Sequence, residues 1–279
     1  MGLGPRRLGA VMVICGLALV CVAAGLFAAG AFSGSPSASA GRHAQRAAHR
    51  VAVADPTTTT TTTTAPAPPA PLPIPPQPAS TVTATTHGDI PGYPAPGAPA
   101  PDRTVPGSWF GYPSILPVIA GVPGWLEVRL AQRPNGSTTW VQQSDVTMGT
   151  TPYAIVVDLG TNHVVVFQNA SPIFSFPAGV GAPNDPTPTG NYFMTMLYPP
   201  PGPGYGPFVL VTSDHSDSIA DWENSGDAII GIHGPIDSYS DSVIGTTGAQ
   251  ISHGCIRLHD ADLGQLGHIP PGTPIEVIA

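Results

Sequence analysis

Proline restricts the fold of this chain more than any other residue, because it is unevenly distributed. The sequence of 279 residues holds 36 prolines, which crowd between Pro56 and Pro106, where large apolar side chains are almost absent. Proline fixes the backbone φ angle and removes an amide donor, which favours extended polyproline II conformation over helix or sheet. Residues 33–105 are therefore predicted to be a disordered linker rich in Pro, Thr and Ala, with no core of their own.

A positively charged and then apolar N-terminus precedes this linker. Arg6 and Arg7 are followed by an apolar run of 25 residues, 8–32. This order is typical of an export signal, and the run is long enough to span a membrane. Residues 1–32 are predicted to be a signal and membrane anchor, with the arginines inside the cell. Cleavage after the Ser-Ala-Ser-Ala sequence at 37–40 is the alternative.

The rest of the chain is acidic, which excludes one class of partner. Beyond Arg103 there are fourteen carboxylates and only three basic side chains, those of Arg129, Arg133 and Arg257. Nucleic-acid binding depends on clustered Lys and Arg that contact phosphates. No nucleic-acid partner is therefore predicted.

Short alternating runs of apolar and polar residues fill the C-terminal part. Residues 125–130 and 139–142 flank Arg133-Pro134-Asn135-Gly136, a hairpin-turn signal. Residues 106–150 are predicted to be a small β-barrel-like unit, similar to bacterial units of the Src-homology-3 kind. Further strands are predicted at 153–159, 163–168, 172–176, 191–197, 208–212, 228–233 and 274–278. Only 260–266 favours a helix, with Asp260 as its N-cap, so the fold class is mostly β.

One short segment concentrates reactive side chains. Within six positions it holds the Ser252 hydroxyl, the His253 imidazole, the Cys255 thiol and the Arg257 guanidinium. Cys255 is the only cysteine outside the N-terminal apolar run, so it has no disulfide partner in the folded part. An imidazole can raise the fraction of a thiol that is thiolate. The segment therefore favours a cysteine nucleophile but indicates no substrate.

Two further residues complete this constellation. His233 ends an apolar run and lies twenty residues before His253; a facing strand end can place it beside the thiol. Gly254 permits a sharp turn that exposes the thiol, and backbone N–H groups there can face an oxyanion.

Other interpretations of these residues stay open at this level. A zinc site could use His233, His253, Cys255 and His259, although the paired spacing of structural zinc loops is missing. A structural Cys and His could also cluster by chance. The acidic stretch 213–227 could suggest a calcium loop, but it lacks a regular ligand spacing, and a solvated loop over the site is preferred.

Four motifs resemble, in order, those of the L,D-transpeptidase catalytic domain family over residues 153–278. They are PTPTGNY at 186–192, IHG at 232–234, SHGCIRL at 252–258 and GTPI at 272–275. The N-terminal anchor, the Thr/Pro linker and the small β unit also resemble actinobacterial members. The resemblance implies a β-sandwich-like catalytic domain, predicted at 151–279, and no metal or other cofactor.

The resemblance also implies a role for each site residue. Cys255 is the expected nucleophile and His233 the general base, with the Gly234 carbonyl orienting its ring. His253 is a supporting histidine. The N–H groups of Gly254 and Cys255 would form the oxyanion hole, while Ser252 and Arg257 shape the loop.

The implied reaction is peptidoglycan cross-linking. The cysteine would attack a stem tetrapeptide, release D-alanine and pass the acyl group to an amine of another stem, giving a 3→3 cross-link. Donor and acceptor stem peptides are thus the expected partners, carbapenem-type β-lactams the expected covalent inhibitors, and the extracytoplasmic face of the membrane or the cell wall the expected location. The alternatives are hydrolysis of stem peptides by the same thiol, as an L,D-carboxypeptidase or endopeptidase, and a non-catalytic wall-binding protein.

Overall fold

The computed structural model describes residues 74–279, which form a mostly β structure with two large sheets. The predicted anchor, residues 1–32, and the predicted linker up to residue 73 lie outside the described residues. Within residues 74–279, no helix is long and apolar enough to cross a membrane.

The first sheet is built from residues 81–151. The strands here are β1 (Thr81–Thr86), β2 (Ile90–Gly92), β3 (Arg103–Val105), β4 (Ser108–Trp109), β5 (Tyr112–Pro113), β6 (Ile115–Val122), β7 (Trp125–Arg129), β8 (Thr138–Gln142) and β9 (Val146–Thr151), with a 3₁₀ helix at Gln143–Asp145. Five of them form an antiparallel sheet in the order β8-β7-β6-β1-β9. The predicted hairpin with its turn at 133–136 is confirmed by the pairing of β7 with β8.

The prediction of a disordered linker up to residue 105 is wrong for its last part. Strands β1, β2 and β3 lie within it, and β1 pairs with both β6 and β9. The reason is local: β1 reads Thr-Val-Thr-Ala-Thr-Thr, and β-branched residues are favoured in strands. Ala84 at its centre is fully buried in the core of this sheet. The unit predicted at 106–150 therefore begins at about residue 81 in the structure.

The second sheet is built from residues 153–278. Its strands and the elements between them are β10 (Tyr153–Asp158), β11 (His163–Gln168), β12 (Ser171–Pro177), β13 (Val180–Gly181), β14 (Gly190–Tyr198), β15 (Val209–His215), β16 (Ile229–His233), α1 (Ser238–Val243), β17 (Gln250–Ser252), β18 (Ile256–Arg257), α2 (Asp260–Gly264), a 3₁₀ helix at Gln265–His268 and β19 (Pro274–Ile278). Eight strands follow the order β12-β11-β10-β19-β14-β15-β16-β18. Two pairs in it are parallel, β10 with β19 and β16 with β18.

All seven strands predicted between 153 and 278 are confirmed, and so is the helix near 260–266. The predicted N-cap is wrong by one position: His259 is the N-cap of α2, and its side chain makes no capping bond. Helix α1 was not predicted; Asp237 caps it by accepting a hydrogen bond from the Ser240 N–H at 2.7 Å.

A single hydrophobic core joins the second sheet to α2. Ile232, Ile256, Leu258 and Leu263 are all fully buried in this core or nearly so. Burying each such side chain stabilises the fold by about 1.5–3 kcal/mol. Since β16 and β18 run through this core, the residues at their ends are held on a rigid support.

Candidate active site

The parallel pairing of β16 with β18 brings His233, at the end of β16, close to the loop that carries Cys255. Ile232 is the register partner of Ile256, and His233 that of Arg257. Cys255 directly precedes Ile256, and neighbouring strands lie about 4.8 Å apart. The end of β16 therefore lies beside the thiol-bearing loop, although α1 and β17 separate the two in sequence.

The Cys255 loop is fixed by one buried hydroxyl. Ser252 Oγ accepts a hydrogen bond from the Gly254 N–H at 3.2 Å and donates one to the Cys255 carbonyl at 2.5 Å. Gly254 has a φ angle of +112°, and a Cβ there would lie 2.6 Å from Ile230 Cδ1. Only glycine adopts this turn without strain. Cys255 itself is 7% exposed and forms no disulfide among the described residues.

The structure assigns the Gly254 N–H differently from the sequence-based expectation. An oxyanion hole from the N–H groups of Gly254 and Cys255 was predicted. The Gly254 N–H instead donates to Ser252 Oγ inside the loop. Ser252 Oγ thus bridges two backbone groups of the loop, and it uses one of the two expected oxyanion donors to do so.

Thr187, in the segment just before β14, supports the same loop. It was not predicted as a site residue. Its Oγ1 donates to the Gly254 carbonyl at 2.7 Å and accepts from the Gly181 N–H at 3.0 Å. Thr187 is 3% exposed. The signal that could have found it is its place inside the PTPTGNY motif, which was used only for the resemblance.

His233 is buried and held in one orientation. It is 2% exposed, and its Nδ1 lies 2.7 Å from the Gly234 carbonyl oxygen, the contact expected from the resemblance. A carbonyl can only accept, so Nδ1 carries the proton and Nε2 is left as the basic nitrogen. The Tyr205 ring, which was not predicted at the site, packs 4.8 Å from the imidazole between ring centroids.

Gly234 is required for close packing beside this histidine. A Cβ at Gly234 would lie 2.5 Å from Asp260 Oδ1 and 2.6 Å from the Gly206 nitrogen. A side chain here would therefore displace the carbonyl that orients His233.

Arg257 places a positive charge close to the thiol. Its Nη1 donates to Ser240 Oγ at 2.7 Å. Burial lowers the pKa of the Arg257 guanidinium. The negative charge of the Cys255 thiolate acts in the opposite direction and offsets part of this shift. Arginine remains protonated despite such shifts, and a nearby cation stabilises a thiolate.

Asp214 is a buried carboxyl near the same thiol. It is 1% exposed, and burial, followed by the charge of Asp217, raises its pKa to about 9, with Cys255 adding to the effect. The side chain is therefore protonated and neutral at pH 7, so it does not oppose a negative charge on Cys255.

The neighbours of His253 differ from those of His233. Its side chain is 58% exposed, and its Nε2 lies 4.0 Å from Asp185 Oδ2. The Trp222 ring packs against its imidazole, with 4.9 Å between centroids. His253 thus faces the acidic loop, which we define as residues 213–227.

The metal-site alternatives gain no support from the placement of these side chains. His259 Nδ1 lies 2.6 Å from Asp241 Oδ1, and Asp227 is bound to Arg133 and His215. Among residues 74–279, no group of three or more His, Cys, Asp or Glu is arranged to hold a metal ion.

Comparison with known families decides which domain carries this site. Residues 152–277 match the family model of the YkuD L,D-transpeptidase catalytic domain. These residues are a YkuD domain. The matched residues include every predicted site residue.

Proteins similar to this chain include two YkuD proteins and a solved L,D-transpeptidase. The YkuD of Bacillus subtilis is 29% identical over 129 residues, covering 46% of this chain and 67% of the relative. That of Bacillus licheniformis is 28% identical over 149 residues, covering 51% and 79%. A solved L,D-transpeptidase from Mycobacterium smegmatis is 16% identical, with a TM-score of 0.35, covering 56% of this chain and 91% of that one.

The YkuD domain is contacted by residues outside the match. Arg133 Nε donates to Asp227 Oδ1 at 2.8 Å, and Asn135 Nδ2 donates to the His215 carbonyl at 2.7 Å. Both belong to the turn between β7 and β8. This contact was not predicted, because nothing in the local sequence of the turn indicates a partner about 80 residues further along.

Proposed function

We propose that this chain is a cysteine-dependent L,D-transpeptidase that forms 3→3 cross-links between peptidoglycan stem peptides. The observation that carries the proposal is the fixed His233 ring at the end of β16, beside the Cys255 loop. Membership of residues 152–277 in the YkuD family supports it.

In the first half-reaction, His233 Nε2 takes the proton of the Cys255 thiol, because Nδ1 is committed to the Gly234 carbonyl. The thiolate attacks the carbonyl carbon of the third residue of a donor tetrapeptide. The C–N bond to the terminal D-alanine then breaks, and the leaving amine receives the proton from His233. The products are a thioester on Cys255 and D-alanine.

In the second half-reaction, a side-chain amine of another stem attacks the thioester. The amine loses a proton to His233, the C–S bond breaks, and the Cys255 thiol is restored as the new amide forms. Arg257 favours the thiolate as nucleophile and leaving group. The Cys255 N–H is the proposed oxyanion donor, and Ser252 and Thr187 hold its loop.

Product analysis tests transfer against hydrolysis. The full chain is incubated with a tetrapeptide stem, with and without an added acceptor amine. Transpeptidation predicts D-alanine release and a cross-linked product that depends on the acceptor. Release of D-alanine with only a free tripeptide, at every acceptor concentration, would make the chain an L,D-carboxypeptidase. No turnover in either condition would favour a wall-binding protein.

The proposal extends to inhibition and location. Carbapenem-type β-lactams are proposed to acylate Cys255, which predicts a mass increase of the whole protein equal to one inhibitor. The same increase in a Cys255→Ala variant would contradict this assignment. The arginine-led apolar N-terminus supports a location on the outer face of the membrane, with the chain anchored by residues 1–32.

A further inference from the structure

The turn between β7 and β8 contacts the acidic loop of the YkuD domain. We define the hairpin tip as residues 130–137. Asn135 uses both polar atoms of its amide here: Nδ2 donates to the His215 carbonyl at 2.7 Å, and Oδ1 accepts from the His215 N–H at 2.9 Å. This paired contact repeats the exchange of hydrogen bonds between antiparallel strands. The side chain of Asn135 therefore binds the backbone at the start of the acidic loop.

Arg133 binds both ends of the acidic loop. Its Nε donates to Asp227 Oδ1 at 2.8 Å, and its Nη2 donates to the carbonyls of Ser216, at 3.0 Å, and Ile219, at 3.2 Å. A planar guanidinium with several donors suits this arrangement, which a lysine could not reproduce. One side chain of the first sheet thus ties together segments about ten residues apart.

His215 strengthens the same contact. Its Nε2 lies 2.8 Å from the Ala131 carbonyl oxygen of the hairpin tip, and its Nδ1 lies 2.8 Å from Asp227 Oδ2. The side chain is buried. The hairpin tip and the acidic loop therefore share one network in which Asp227 is bound from two sides.

The other side of the acidic loop faces the Cys255 loop. The Trp222 ring packs against His253, which lies two residues before Cys255. Ser218 Oγ donates to Asp185 Oδ1 at 3.0 Å, and Asp185 Oδ2 in turn lies 4.0 Å from His253 Nε2. The acidic loop thus connects the hairpin tip with the rim of the proposed active site.

The acidic loop has little core of its own. Between residues 217 and 227 every side chain is exposed or only partly buried. A segment with few buried apolar contacts opens easily unless other interactions hold it. The hydrogen bonds from the hairpin tip are interactions of that kind.

We propose that Arg133 and Asn135 are positioning residues: from outside the YkuD domain, they fix the acidic loop so that Trp222 and His253 form one wall of the stem-peptide site. This rests on the proposed function for its substrate, but the loop contact itself does not. Loss of either side chain is expected to loosen the loop and to weaken peptide binding, with less effect on the chemical step.

Proteolysis tests the loop contact without any need for activity. The chain has three glutamates, of which Glu127 and Glu276 lie in strands and Glu223 lies in the acidic loop. A glutamate-specific protease should cut after Glu223 about tenfold faster in Arg133→Gln and in Asn135→Ala than in the native chain, since cleavage follows the open population. Arg103→Gln is the matched control, because Arg103 is exposed and, within residues 74–279, its guanidinium pairs only with its neighbour Asp102. The cleavage rate of this variant after Glu223 should equal that of the native chain.

Steady-state kinetics on the same variants test the positioning role. We expect KM for the tetrapeptide stem to rise about tenfold with kcat changed less than threefold, and the rate of Cys255 alkylation by iodoacetamide to stay unchanged. An unchanged cleavage rate at Glu223, or faster cleavage with native KM, would overturn the inference. If the cleavage rates differ as expected but the native chain shows no turnover, the loop contact stands and the proposed function fails. The inference that Trp222 and His253 form a wall of a stem-peptide site is then overturned as well.

Discussion

Thr187 Oγ1 donates a hydrogen bond of 2.7 Å to the Gly254 carbonyl, so a residue before β14 supports the loop that carries Cys255. The same oxygen accepts from the Gly181 N–H. The two backbone groups are thus satisfied by one hydroxyl in a buried position.

Replacing that hydroxyl tests its importance. Thr187→Val keeps the shape of the side chain but leaves a buried carbonyl and a buried N–H without a partner, which costs about 1–3 kcal/mol each. We expect the free energy of unfolding in denaturant to fall by about 2–6 kcal/mol and acylation of Cys255 to slow. Thr104→Val, at an exposed position of β3, is the control. Equal stability of the two variants would contradict the role given to Thr187.

The two site histidines are expected to differ in importance. His233 is buried with its Nδ1 on the Gly234 carbonyl, whereas His253 is exposed and packs against Trp222. Because a general base contributes about 10²–10⁴-fold, His233→Ala should slow acyl-enzyme formation by that factor. His253→Ala should slow it much less. Comparable rates, or the reverse order, measured by rapid quenching and whole-protein mass, would show that His233 is not the base.

Asp214 gives the protein a specific pH dependence. Its pKa is about 9 in the folded protein, against about 3.9 in an unfolded chain. Between these values the unfolded chain releases the proton and the folded chain keeps it, so the stability from this group falls as pH rises. Asp214→Asn removes the titration but keeps an oxygen for the hydrogen bond from Asn135.

We therefore expect the free energy of unfolding of Asp214→Asn, relative to that of the native protein, to increase from about pH 5 to pH 8, so that the variant becomes relatively more stable. The slope should be at most about 1.4 kcal/mol per pH unit, measured by denaturant titration at several pH values. A difference that does not change with pH would show that Asp214 is ionised in the folded state.

The sequence was sufficient to single out Cys255 and His233, which the structure places on neighbouring segments, and to predict most strands of the second sheet. Cys255 and His233 stand out because their chemistry and motif are local, and runs such as 163–168 carry the β pattern within themselves. The first sheet was predicted less well. The composition of residues 33–105 is dominated by proline, and this average hid the six residues of β1.

The contacts that sequence could not predict are those between distant segments. Thr187 lies 67 residues from Gly254, and Arg133 lies 94 residues from Asp227. Neither pair has a local signal, since each hydrogen bond depends on how complete sheets pack against one another. The N-cap of α2 was predicted one position too late, because helix ends are defined only to within a residue or two.

The central claim is that the Cys255 sulfur becomes acylated by a stem peptide. The most direct test is the mass of the intact protein after mixing with a tetrapeptide stem in the absence of acceptor. We predict an added mass equal to the tetrapeptide minus D-alanine, located on Cys255 and absent from Cys255→Ala. An unmodified native protein that nevertheless releases D-alanine, or a Cys255→Ala variant that carries the same added mass, would contradict the account.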